Sequence, residues 1–110
     1  MKCFGISRAF VVLALALFPL HVFAWGGVTT GKIVEFHVTG AGNLPFRVFL
    51  EGSPVLCSGG MSEGYLDDTD PNYKVYVATL LMAKASNSAV TLYADVGAYS
   101  RCRIGYIAVH

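Results

Sequence analysis

One stretch of this chain has a helical period, and alternating segments lie on both sides of it. From Tyr73 the apolar residues fall at Tyr73, Tyr76, Val77, Leu80 and Leu81, the spacing of one helix face. Asp70 precedes Pro71 just upstream. An Asp can accept hydrogen bonds from the open amides of a first turn, and proline fits the first helical position, where no amide partner is needed. The spacing therefore predicts a helix opening at Asp70-Pro71, with Tyr73, Tyr76, Val77, Leu80 and Leu81 as its buried face. "SNS" breaks the pattern after Ala85, and Asn87 is expected as a left-handed cap. A single helix must bury its apolar face against something else, and the rest of the chain offers strands.

Those strands read as follows. "GKIVEFHV", Gly31 to Val38, is rich in β-branched and aromatic residues. Its alternation slips at the adjacent Ile33 and Val34, which predicts a bulge or a bend near Val34. "TGAGN" is a turn by composition. In "LPFRVFLEG", Phe46, Val48 and Leu50 share one face, and Arg47, Phe49 and Glu51 share the other. A shorter strand is expected around Val55 to Cys57. A glycine-rich loop follows and returns as an extended piece at Tyr65-Leu66. Beyond the helix, "AVTLYAD" alternates Val90, Leu92 and Ala94 against Thr91, Tyr93 and Asp95. The final strand, "RCRIGYIAV", changes parity at Gly105, where a second bulge is expected. The order is three strands, one helix and two strands. The class is mainly β with one α-helix, and curling into a five-stranded barrel covers the sheet faces.

The first 24 residues stand apart from this pattern. Basic Lys2 and Arg8 precede an apolar run from Ala9 to Leu20, and Val22-Phe23-Ala24 places acceptable residues at a cleavage site. The run is about 12 residues, shorter than the roughly 20 a membrane span requires. Residues 1–24 are read as a signal peptide, with an uncleaved anchor as the rival. Residues 25–110 are read as a single domain, exported to the periplasm or secreted, with no stable membrane insertion. Removing the leader takes away two of the eight basic residues and none of the seven acids, leaving a net charge near −1. No basic field exists to bind nucleic acid by counterion release. Of the three cysteines, Cys3 leaves with the leader. Cys57 and Cys102 remain, and in an exported chain such a pair is most simply a disulfide, here expected to tie the third strand to the last. A reactive thiol beside Arg101 and Arg103 is the alternative.

The chemistry-bearing residues point away from catalysis. Asp67, Asp68 and Asp70 resemble a metal loop only in their acidity. Counted from Asp67, the sixth position is Asn72 and the twelfth Ala78, where a calcium loop wants glycine and glutamate. Acids ahead of a helix also sit well against its positive end. His37 falls on a strand and His110 at the end of the chain, and no zinc spacing or nucleophile motif occurs. The expectation is a protein that is not an enzyme and has neither metal nor cofactor. The candidate ligand-binding residues are aromatics on non-core positions with an arginine nearby: Trp25, Phe49, Tyr93, Tyr99 and Arg101. Such groups stack on sugar rings or anchor protein partners.

The order of features carries a resemblance. The leader ends just before Trp25, and three strands follow, with Cys57 in the middle of the chain. Then come the helix "YKVYVATLLMAKA", "VTLY", and a last strand beginning "CRIGYIAV". This resembles a group of small exported bacterial proteins of unknown function. More distantly it is similar to the B subunits of subtilase cytotoxin and pertussis-like toxins. The resemblance implies an OB-fold with its helix between strands three and four, an oligosaccharide ligand and assembly into a ring. None of the toxin subunits' sugar-contacting residues is carried over. The helix has a second apolar strip at Val75, Thr79 and Met82, flanked by Ala78 and Ala83, which a homo-oligomeric ring would use. The alternative partner is a protein, with the chain acting as an inhibitor or immunity-type module of a secreted enzyme.

Overall fold

The computed structural model describes residues 24–110. The leader reading of residues 1–24 therefore lies, Ala24 apart, outside the described residues. Five strands and one helix follow in the order β1 (Gly27–Val38), β2 (Phe46–Leu50), β3 (Gly64–Leu66), α1 (Tyr73–Ala85), β4 (Ala89–Val96) and β5 (Cys102–Val109). The helix falls between the third and fourth strands, and the domain is mainly β.

The sheet closes because β1 serves two partners. Its first half pairs antiparallel with β4, from Gly27↔Ala94 to Lys32↔Ala89. Its second half pairs antiparallel with β2, and the register slips between Ile33 and Glu35. The expected bulge at Val34 is thus the point where the strand bends from one neighbour to the other. β2 pairs with β3, and β3 runs parallel to β5 through Gly64↔Cys102 and Tyr65↔Arg103. β5 returns antiparallel to β4, which completes the closed order β1-β2-β3-β5-β4. On β5 the partners step from Tyr93↔Tyr106 to Ala94↔Ile104, so Gly105 is the extra, bulged residue its parity predicted. β1 also starts four residues earlier than the sequence suggested, because the Gly- and Thr-rich Gly27–Thr30 has β4 to pair with.

The interior follows strand parity. Phe46, Val48 and Leu50 of β2 are buried, as are Val90, Leu92 and Ala94 of β4, and Ile33, Leu66 and Ile104 join them. Leu80 and Ala83 of α1 complete the cluster, with Tyr73, Tyr76 and Val77 partly buried against it. The helix packs on β1, β3 and β5. Its C-terminus is tied by two bonds: Ser88 N–H donates to Ala83 O at 2.9 Å, and Asn87 N–H to Lys84 O at 3.2 Å. Asn87 has φ +56°, the left-handed cap its sequence position predicted.

Four expectations need correction. No strand forms at Val55–Cys57. Leu56 and Cys57 are buried, but the backbone there is spent on loop bonds, such as Leu56 N–H to Met61 O and Gly60 N–H to Cys57 O. Pro54 and the left-handed Gly52 and Ser53 bend the chain before a ladder can start, so the third strand is the short return, Gly64–Leu66. The Cys57–Cys102 disulfide is present, with Cα atoms 5.7 Å apart, and it ties this loop rather than a strand to the start of β5. The helix begins at Tyr73 with Asn72 as its cap. Asp70 closes the preceding turn, its carboxylate accepting from Asn72 N–H at 2.8 Å. Finally, Leu81 is 48% exposed whereas Ala83 is buried, so the buried face is rotated from the sequence reading, toward Leu80–Ala83.

Candidate functional site

The chain enters the barrel through Trp25 and Gly26, and these two residues are fixed from three sides. Gly26 N–H donates to Asp95 Oδ1 at 2.7 Å. Gly26 O accepts from Ser58 N–H at 2.9 Å, in the loop held by the disulfide. The indole of Trp25 lies on the β5 bulge. A Cβ on Gly105 would come 2.7 Å from Trp25 Cη2, which leaves room there for glycine alone. The same bulge is tied from the other side, where Tyr76 Oη donates to Gly105 O at 3.2 Å. The parity break in β5 is thus also the seat of the one tryptophan in the chain.

Aromatic rings continue from Trp25 along the outer face of β4 and β5. Trp25 meets Tyr93 edge-on, with centroids 6.0 Å apart, and Tyr93 meets Tyr106 edge-on at 4.6 Å. Tyr106 is more than half exposed. On the other side of Trp25 the outer face turns charged, because Asp95 and Arg103 are cross-strand partners on β4 and β5. Together Trp25, Asp70, Asp95, Val96, Arg103 and Gly105 line a cleft of about 350 Å³. An indole, two carboxylates and a guanidinium therefore face one space.

The charges in this cleft are loosely engaged with one another. Arg103 Nε lies 3.5 Å from Asp67 Oδ2, and its Nη2 lies 3.7 Å from Asp70 Oδ2. Both separations exceed good hydrogen-bond length. Asp67 is held mainly by Thr69, whose hydroxyl and amide both donate to Oδ1, at 2.7 and 2.9 Å. These bonds, with Arg103 nearby, keep the Asp67 carboxyl below the ordinary carboxylate range. Tyr73 is shifted the other way: burial and then the Asp68 charge raise its phenol. Asp67 and Asp70 thus have structural partners in Thr69 and Asn72. Among the described residues, no group of three or more His, Cys, Asp or Glu is arranged to hold a metal ion.

The structure brings two of the five candidate ligand residues together, Trp25 and Tyr93. Phe49 lies elsewhere, packed against His37 at 4.9 Å on the outer face of β1 and β2. His37 is also engaged with Glu35, at 2.6 Å. Tyr99 is 77% exposed in the β4–β5 connection, where it and Ser100 both have positive φ. That connection is clamped by Tyr65, whose hydroxyl accepts from Ala98 N–H at 3.0 Å. Arg101 has a structural partner. With Arg47 it flanks the buried carboxylate of Glu63, at 2.7 and 3.1 Å. Sequence reading missed Asp70, Asp95, Arg103, Gly105 and Tyr106 as cleft or platform residues. Parity held the signal for Arg103: Cys102 and Ile104 point inward, so Arg103 points outward beside Tyr93 and Asp95. Tyr106 lies beyond the bulge, where parity alone no longer assigns a face.

Among the described residues no helix is long and apolar enough to cross a membrane. Comparison with protein-family models, with characterised proteins and with solved structures gives no match.

Proposed function

We propose that this protein is an exported, non-catalytic binding module with an OB-type barrel, and that its ligand is an oligosaccharide. The observation that carries the reading is the cleft in which Trp25 stands beside Asp70, Asp95 and Arg103. Sugar rings present an apolar C–H face and a rim of hydroxyls. An indole stacks on the first, while carboxylates accept and a guanidinium donates to the second. Tyr93 and Tyr106 extend the aromatic platform beyond one ring's length. Strand order and helix placement support the OB assignment, and OB-folds commonly bind ligands near the β1–β2 and β4–β5 loops. Asp95 and Val96 lead directly into the β4–β5 connection. The fold's binding of nucleic acid strands is set aside, because the mature net charge near −1 supplies no electrostatic attraction. The experiment is a glycan array probed with the domain from Trp25 onward. Saturable binding to a defined set of oligosaccharides is expected, and a blank array overturns the reading.

A second reading is favoured by a separate observation. The outer face of α1 exposes Val75 (62%), Leu81 (48%) and Met82 (58%). An apolar strip on an otherwise closed domain suits a protein contact, and a second copy of the chain is its symmetric occupant. Ala83, expected at the edge of this strip, is buried beneath it, and Leu81 takes its place. Light scattering on the leader-free domain at micromolar concentration tests self-association. Met82→Glu should dissociate any assembly with the melting temperature of the barrel unchanged, and a single species at the mass of one chain contradicts it.

A further inference from the structure

We infer that the cleft selects a cationic sugar, an oligosaccharide of 2-amino-2-deoxy units with free amines, over neutral and acidic ones. The inference rests on the carbohydrate reading above and narrows it. Its basis is the charge balance around Trp25. Three carboxylates, Asp67, Asp70 and Asp95, surround the single guanidinium of Arg103. Arg103 is drawn toward Asp67 and Asp70 and partly spent on them, at 3.5 and 3.7 Å. Asp95 accepts one bond, from Gly26 N–H through Oδ1, and its second oxygen has no hydrogen-bond or ion-pair partner among the described residues. The free charge capacity in the cleft is therefore negative, and it sits beside an indole.

An ammonium group fits both features. It pairs with an unneutralised carboxylate and is attracted to the face of a tryptophan, the strongest of the aromatic cation acceptors. A sugar carboxylate would meet the opposite situation: Asp95 and Asp70 would repel it, and the one arginine already faces two acids. An N-acetylated sugar keeps the ring for stacking but brings no charge. The ranking follows: amino sugar first, N-acetylated second, uronic or sialic acid last.

Trp25 is the only tryptophan, so its fluorescence reports the cleft directly. The leader-free domain is titrated at pH 6, where the amine is protonated, with three probes: a glucosamine trimer, an N-acetylglucosamine trimer and a galacturonate trimer. The glucosamine trimer is expected to give a saturable change with at least tenfold tighter binding than either of the others. Asp95→Asn keeps the acceptor for Gly26 N–H and removes the charge. It should abolish the preference for the amine while leaving the melting temperature within a few degrees. Equal or tighter binding of the N-acetylated or the acidic trimer overturns the inference but leaves the carbohydrate reading standing. A preference for glucosamine that survives Asp95→Asn together with Asp70→Asn overturns it as well. No response to any trimer, together with a blank glycan array, overturns both.

Discussion

Gly105 is the residue on which the two halves of the site depend. Its carbonyl accepts from Tyr76 of the helix, and its missing side chain makes the seat for Trp25. Gly105→Ala puts a methyl group where the indole lies, at a cost of about 1–3 kcal/mol in an overpacked site. The expected outcome is a red-shifted, more solvent-exposed tryptophan emission spectrum, with ligand response weakened at least tenfold. An unchanged spectrum would mean that the indole does not rest on the bulge. Asp67 gives a second test at this scale. Its folded-state pKa lies below its unfolded value near 4. Its ionised form therefore stabilises the fold at pH values above that range, and the contribution is lost as pH falls through the lowered folded value. Asp67→Asn should reduce the drop in melting temperature between about pH 5 and pH 2. A variant whose acid profile overlays the parent's would show that the Thr69 bonds do not favour the ionised form.

At the scale of elements, the helix separates buried from exposed positions one residue apart. Leu80 is fully buried and Leu81 is 48% exposed. Leu80→Ala should destabilise by about 2–5 kcal/mol, and Leu81→Ala by no more than about 1 kcal/mol. Denaturant midpoints compare the two, and equal losses would contradict the helix orientation. Sequence alone suggested equal burial, because both leucines fit a 3.6 period and only packing chooses the rotation. Other elements were legible from local rules. Asn87 as a left-handed cap, the Ile33–Val34 slip as a bulge and Gly105 as another each follow from a single backbone requirement. The third strand was legible only in part: the extended return at Tyr65-Leu66 is β3, whereas the strand expected at Val55–Cys57 does not form. Leu56 and Cys57 carry the apolarity of a strand, yet they are buried by the disulfide loop with no ladder. The three residues Gly64–Leu66 are too short to show a period. Arg101 and Arg103 flank the same cysteine, and only the buried position of Glu63 decides that Arg101 is structural. Trp25 and Tyr93 were legible as aromatics off the core. Their meeting was not, because it depends on β1 reaching back to pair along β4.

For the whole molecule, closure of the sheet and the disulfide act together. β1 joins β4 to β2, and the Cys57–Cys102 bond, spanning 45 residues, holds the loop that receives the N-terminal strand at Ser58. In the chain-entropy model a loop of this length is worth roughly 4 kcal/mol. Reduction should lower stability by about that amount. It should also loosen Trp25, because the loop that holds Gly26 loses its anchor. Mass spectrometry that finds two freely alkylated thiols without reductant would contradict the bond. A reduced protein as stable as the oxidised one would contradict the role given to it. The central claim is that one cleft, built from Trp25, Asp70, Asp95, Arg103 and Gly105, receives a carbohydrate. Its most direct test is chemical-shift mapping by NMR on the labelled domain, titrated with the oligosaccharide that binds best on the array. The account predicts shifts concentrated at the Trp25 indole N–H, the amides of Asp95, Val96 and Gly105, and the Arg103 side chain. Shifts gathered instead along Val75, Leu81 and Met82 of the helix, or around Phe49 and His37, would contradict it.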